Sequence, residues 1–115
     1  MSITEVRSLG HFRKFVQSKK LAFIAFYSAF TDYAYIDHIR DLFLKKAGHF
    51  LYEKSTAYGV VNTAMYPQLA EEAKVYEVPA LVAYVNKSEY KRLTGDASKW
   101  KIQIFLEEIL REILG

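Results

Sequence analysis

The chain has 115 residues, of which 51% are hydrophobic and 16% are aromatic, and its formal net charge is +3. This length and apolar content suit one folded domain with a hydrophobic core and argue against intrinsic disorder. Because the sequence contains no cysteine, disulfide bonds, thiolate metal sites and dithiol redox chemistry are excluded. The basic residues are scattered in small groups, so a nucleic-acid partner is not expected.

The N-terminal segment lacks the basic start and long apolar stretch of a secretory signal. The longest apolar run, residues 21–30, is interrupted by Ser28. It is about half as long as the roughly 20 residues that a membrane-spanning helix needs. We therefore expect a cytoplasmic protein that does not bind a membrane.

The first part of the chain predicts a helix and then a buried strand. Its apolar residues recur at spacings of three or four: Ile3, Val6, Leu9, Phe12 and Val16. This periodicity predicts an amphipathic helix over residues 3–18. Residues 20–27 are almost continuously apolar, as in a strand buried on both faces. We expect that strand at the centre of the sheet.

A second helix is predicted over residues 31–47, with Gly48 as its stop. One face of this helix carries Ile36, Ile39, Phe43 and Ala47. Residues 57–62 then predict a second strand. A short helix follows over residues 63–74, with Pro67 near its first turn.

The C-terminal third predicts a hairpin and a closing helix. Residues 80–85 form an apolar strand, the turn NKS follows, and residues 89–94 form its antiparallel partner. A helix over residues 98–114 is indicated by an apolar face of Ile102, Phe105, Leu106, Ile109 and Ile113. The order of the elements predicts a single α/β domain over residues 1–115, with helices on both faces of a mixed sheet.

Two segments of the sequence resemble the thioredoxin family. FIAFYSAFTDYA, residues 23–34, matches the family's strand and active-site turn. LAEEAKVYEVPALVAYVNKSEYKRLTG, residues 69–95, matches its helix, cis-proline, strand, turn, strand and glycine pattern. The resemblance covers nearly the whole chain. It implies a thioredoxin-like fold with a central mixed sheet of four or five strands, and a cis peptide bond before Pro79.

The chain departs from the family at the residues that perform its chemistry. Thr31 and Ala34 stand where the family has its two cysteines, with Asp32 and Tyr33 between them. Ala25 stands at the position of the family's buried acid. The resemblance therefore implies a redox-inactive member that acts as a protein-interaction, adaptor or scaffolding module. We predict no catalytic residue, no cofactor and no metal ion.

Two positions that could suggest a catalytic nucleophile or a metal site have simpler interpretations. Thr31 has no neighbouring base to activate its hydroxyl, so we interpret it as the N-cap of the second helix rather than as a nucleophile. His38 lies between Asp37 and Asp41, but one helix rarely supplies enough convergent metal ligands. We expect these three residues on a solvated helix face.

In the related fold, the loop that holds the cis-proline lies against the active-site turn. The candidate protein-binding surface therefore comprises Phe30, Thr31, Asp32, Tyr33, Val78, Pro79, Thr94 and Gly95. Its partner would be another protein or a second copy of this chain. The alternative for the aromatic residues is that they cover the end of the sheet. The alternative function is a cysteine-independent enzyme or small-ligand carrier that uses the groove beside Pro79.

Overall fold

A computed structural model describes residues 3–47, 52 and 54–115. Within these residues the strands are β1 (Thr4–Glu5), β2 (Leu21–Tyr27), β3 (Thr56–Asn62), β4 (Ala80–Val85) and β5 (Ser88–Thr94). They form one five-stranded sheet in the order β1-β3-β2-β4-β5. β3 is parallel to β1 and β2, whereas β4 is antiparallel to β2 and β5. The predicted mixed sheet and the central position of the strand at 20–27 are confirmed.

Helices cover both faces of this sheet. They are α1 (Leu9–Phe15), α2 (Tyr33–Ala47), α3 (Pro67–Glu72) and α4 (Lys99–Leu114). One face packs against α2 and α4, and the other packs against α1 and α3. Every residue of β2 is buried, because its alternating side chains enter two hydrophobic cores. This explains why the strand reads as a continuous apolar run rather than as an alternating one.

The predicted helix over residues 3–18 is wrong in its first third. Thr4 and Glu5 form β1, which pairs with β3 in the register Thr4 to Gly59. The helix begins only at Leu9, because the side chain of Ser8 accepts a hydrogen bond from the backbone N–H of His11 at 3.1 Å. Ser8 is thus an N-cap that fixes the start of α1. The apolar residues before Ser8, Ile3 and Val6, flank the short outermost strand β1, which pairs with β3.

Two other helices are shorter than predicted. α2 begins at Tyr33 rather than at residue 31. α3 has Pro67 in its first turn, as expected, but the residues before it form turns in which Tyr66 N–H donates to the Asn62 carbonyl at 2.9 Å. Its C-terminal end is set by Lys74, whose φ of 57° is left-handed and incompatible with continued helix.

The remaining strands and the closing helix agree with prediction to within a residue or so. The turn of the antiparallel hairpin is made by Asn86 and Lys87, with φ values of 50° and 67°. α4 is capped by Ser98, which accepts a hydrogen bond from the Lys101 N–H at 3.3 Å. None of the helices in the described ranges is long and apolar enough to cross a membrane.

Candidate protein-binding site

Three loops join the sheet at one end of its strands, where β2 ends, β4 begins and β5 ends; we call this end of the sheet the edge. Phe26, near the end of β2, pairs with Ala80, the first residue of β4, and Ala80 also pairs with Thr94 at the end of β5. The turn after β2, the loop before β4 and the loop after β5 therefore start from neighbouring positions. This edge carries all the residues of the candidate surface predicted from the sequence.

The turn after β2 is closed by Asp32. Its carboxylate accepts a hydrogen bond from the Ser28 N–H at 2.7 Å, while its own N–H donates to the Ser28 carbonyl at 3.0 Å. The Asp32 carbonyl then accepts from the Ile36 N–H at 3.0 Å, which begins the α2 ladder. Asp32 thus stands directly before the helix, at the position where acidic and small polar residues are favoured.

The predicted N-cap role of Thr31 is wrong. Thr31 lies in the turn, and its hydroxyl donates to the Asp32 carboxylate at 3.3 Å. The helix begins two residues later than expected, at Tyr33, so the residue directly before it is Asp32, a residue type equally favoured at that position. Among the described residues, the hydroxyl of Thr31 hydrogen-bonds to neither an imidazole nor an amine, so this contact does not supply the base that threonine nucleophiles require.

The positions that carry redox chemistry in the related family hold inert groups. Ala25 is fully buried in β2, and Ala34 is exposed in the first turn of α2. Neither methyl group can transfer a proton or form a covalent intermediate. The chain contains no cysteine, so the mixed disulfide of thiol–disulfide exchange cannot form on it.

The loop before β4 presents free backbone groups. The Val78–Pro79 peptide bond is cis, and the Pro79 carbonyl accepts a hydrogen bond from the Gly95 N–H at 2.9 Å. Gly95 has a φ of 89°, a left-handed conformation that glycine adopts without penalty. Within the part of the chain that the structure describes, neither the N–H nor the C=O of Val78 makes a hydrogen bond. Val78 therefore keeps one donor and one acceptor available.

Large side chains at this edge are unusually exposed. Phe30 is 76% exposed and Tyr33 is 66% exposed, whereas Tyr35 is buried. The alternative that the aromatic residues cover the end of the sheet therefore holds for Tyr35 only. Two further residues of the edge, which the sequence did not point to, are Tyr76 at 85% and Met65 at 66% exposure.

Tyr76 and Met65 lie in loops that join the sheet at this edge. Tyr76 lies two residues before Val78, in a connection with no apolar periodicity. Met65 lies in the turn after β3, which is tied to the turn after β2 because the Asn62 side chain accepts from both Ala29 N–H and Ala64 N–H at 3.2 Å. Only the pairing of the loops, which is not visible in the sequence, could have identified these two residues.

The buried hydroxyl of Tyr35 lies close to acidic groups. It has no hydrogen-bond partner in the described residues. Burial raises the pKa of Tyr35 well above its ordinary value, and the negative charges of Asp32 and Asp96 raise it further.

Asp41, one of the acidic residues near His38, is engaged by two lysines. The Asp41 carboxylate forms ion pairs with Lys99 and Lys45, and the Lys99 hydrogen bond lowers the pKa of Asp41. Across the described ranges, no three acidic, histidine or cysteine side chains are arranged to hold a metal ion. The arrangement at Asp41 ties α4 to α2.

No protein-family model and no curated protein matches the sequence. Solved structures do match it. A thioredoxin mutant from Halobacterium salinarum superposes with a TM-score of 0.77 at 11% identity, covering 99% of this chain and 92% of that one. The oxidised thioredoxin of Plasmodium falciparum gives 0.77 at 18% identity, with 94% and 98% covered. A Malassezia sympodialis thioredoxin gives 0.76 at 17% identity, with 99% and 92% covered.

The chain has the thioredoxin fold. The resemblance seen in the two sequence segments is thus confirmed at the level of structure. Because these identities are low, the similarity concerns the fold and not the activity. This chain contains no cysteine, and the aromatic side chains of Phe30 and Tyr33 are exposed at the edge.

Proposed function

We propose that this chain is a redox-inactive thioredoxin-fold module that binds an extended segment of a partner protein. The segment would lie across Phe30, Tyr33 and the loop that holds Val78 and Pro79. The observation that carries the proposal is the backbone of Val78, which makes no hydrogen bond to any described residue, on the same edge as the exposed side chains of Phe30 and Tyr33. No covalent step is involved.

Hydrogen bonds to the backbone of Val78 would orient the bound segment. An extended peptide that lies beside Val78 can accept a hydrogen bond from its N–H and donate one to its C=O, as an added strand does. Such pairing is independent of the peptide's side chains, so it provides affinity without sequence preference. Selectivity must come from the side chains that flank the loop.

The exposed aromatic residues supply contact area on one side of that line. Phe30 and Tyr33 are rigid side chains that cost little conformational entropy on binding, and aromatic residues are frequent among energetically important interface residues. Their exposure in the free chain is costly in water unless a partner covers them. Thr94 and Gly95 would form the opposite wall, since Gly95 is hydrogen-bonded to Pro79.

The test is capture from native extract with three immobilised proteins: the wild type, the double variant Phe30→Ser, Tyr33→Ser, and the control Leu44→Ser. Leu44 is 55% exposed on the same helix as Tyr33, about 16 Å further along its axis. We expect partners that bind the wild type and the control but not the double variant. Urea denaturation verifies that all three are folded.

The result that would contradict the proposal is an identical set of captured proteins for all three baits. Sedimentation of the wild type distinguishes a second copy of this chain from a foreign partner. Loss of a dimer in the double variant alone would make the partner a second copy.

A further inference from the structure

The candidate surface is acidic although the whole chain is basic. Asp32, Glu77 and Asp96 lie in the three loops of this edge, and Glu77 and Asp96 are exposed. In the described parts of the chain, none of these three carboxylates forms an ion pair. The net charge of +3 thus conceals a locally negative surface.

Three cations pair with acids outside the candidate surface: Arg7 pairs with Glu5, Arg92 pairs with Glu89 at 2.6 Å, and Lys99 pairs with Asp41. Among the described residues, no cation forms such a pair with any of the three carboxylates of the edge.

Lysines collect instead at the opposite end of β2. A cleft of about 550 Å³ there is lined by Lys19, Lys20 and Lys87. Because β2 crosses the molecule between these two ends, the chain has a basic end and an acidic end.

Exposed aromatic rings and carboxylates together favour cationic side chains. A lysine or arginine over the face of Phe30 or Tyr33 gains a cation–π interaction. Its charged group can at the same time reach a neighbouring carboxylate such as Asp32 or Asp96. An acidic segment would be repelled at the same place, so the surface selects against it as well.

We infer that the segment bound at this surface is basic, with lysine or arginine side chains placed between Phe30, Tyr33 and the carboxylates of Asp32, Glu77 and Asp96. This inference rests on the proposed function, since it specifies the chemistry of the same partner. The bound segment is extended and belongs to a foreign polypeptide. A second copy of the chain would be a different occupant.

The experiment uses phage-displayed random dodecapeptides as the probe, selected on the folded full chain at low salt. Peptides are retained if they bind wild type but not the Phe30→Ser, Tyr33→Ser variant. We expect the retained sequences to be enriched in lysine and arginine. Synthetic copies should bind less tightly at higher salt, because exposed charges are screened.

Two matched variants isolate the effect of charge. Glu77→Gln, Asp96→Asn removes two charges from the edge, and Glu71→Gln, Glu108→Gln removes two exposed charges from helices. Asp32 is left intact because its carboxylate holds the Ser28 N–H at 2.7 Å. Each exposed charge pair contributes about 1.5- to 5-fold in affinity, so the edge variant should bind the basic peptides roughly 2- to 25-fold more weakly. The helix variant should bind them like wild type.

The outcomes separate this inference from the proposed function. Peptides that depend on Phe30 and Tyr33 but show no enrichment in basic residues would overturn the inference alone. An equal loss of affinity in both charge variants would also overturn it. If no peptide depends on Phe30 and Tyr33, the proposed function fails as well. Self-association that is abolished by Glu77→Gln, Asp96→Asn would assign the carboxylates to a second copy and overturn the foreign segment.

Discussion

Replacing Arg92 with methionine should destabilise the protein and loosen the loop that carries Val78. Arg92 lies in β5, and its guanidinium donates to the Ala73 carbonyl at 2.9 Å and to the Lys74 carbonyl at 3.0 Å. It also makes two hydrogen bonds to the Glu89 carboxylate, at 2.7 and 2.6 Å. The side chain thus ties the end of α3 to β5, directly before the loop of the candidate site.

The expected cost follows from how exposed these contacts are. The side chains of Arg92 and Glu89 are 26% and 39% exposed, so their ion pair contributes about 0.2–1 kcal/mol. The two hydrogen bonds to carbonyls contribute about 0.5–1.5 kcal/mol each. Methionine preserves most of the apolar stem. The free energy of unfolding should therefore fall by about 1.2–4 kcal/mol.

Urea denaturation followed by circular dichroism measures this cost. With a mid-range m-value of about 2 kcal/mol/M, the midpoint should fall by roughly 0.6–2 M. The comparison variant is Glu89→Gln, which removes the ion pair but leaves the bonds to Ala73 and Lys74. If Arg92→Met costs no more than Glu89→Gln, the carbonyl contacts contribute nothing and the reasoning is refuted.

Replacing Lys87 with glycine should raise the free energy of unfolding by about 0.5–1 kcal/mol in thermal melts, because relief of its left-handed conformation exceeds the entropy cost of glycine. Ser98→Ala should cost about 1 kcal/mol as a lost N-cap, whereas Thr31→Ala should cost less than about 0.5 kcal/mol, and equal costs in urea would contradict the assignment of caps. Hydrogen bonding to Arg92 lowers the pKa of Glu89. The contribution of this ion pair to folding stability is therefore complete above the unfolded-state pKa of Glu89, about 4.3, and is lost as pH falls below it. Acid should consequently destabilise the wild type more than the Glu89→Gln variant. Burial raises the pKa of three tyrosines above the unfolded value, namely Tyr35, Tyr58 and Tyr84. Stability should be lost as pH rises beyond about 10, with their tyrosinate absorbance appearing only on unfolding; ionisation of all nine tyrosines in the folded protein would show this to be wrong.

The core of the fold was predictable because long apolar patterns decide it. Three elements could be recognised without knowing what they pack against: the continuous apolar run of β2, the two strands of the hairpin and the apolar face of α4. β1 could not be predicted, because two residues carry no periodicity and become a strand only by pairing with β3. The spacing of Ile3 and Val6 fits a helix equally well.

The candidate site was predictable in part and for a different reason. The resemblance located Phe30, Tyr33 and Val78 on the correct loops, whereas Met65 and Tyr76 depend on how the loops meet. The start of α2 was misplaced because both Thr31 and Asp32 can cap a helix. Hydrogen bonding to Ser28 decides between them, and that contact spans a turn whose shape the sequence does not specify.

The most direct test of the proposed interaction is the exchange rate of the Val78 amide proton, measured by NMR with and without a saturating basic peptide from the selection. In the free chain this N–H has no acceptor within the described ranges, so it should exchange rapidly. If the peptide pairs with the loop as an added strand, its exchange should slow at least about tenfold, as expected when local opening becomes unfavourable by about 1.4 kcal/mol. An unchanged rate at Val78, with slowed exchange only at amides elsewhere in the sheet or in α4, would contradict the account.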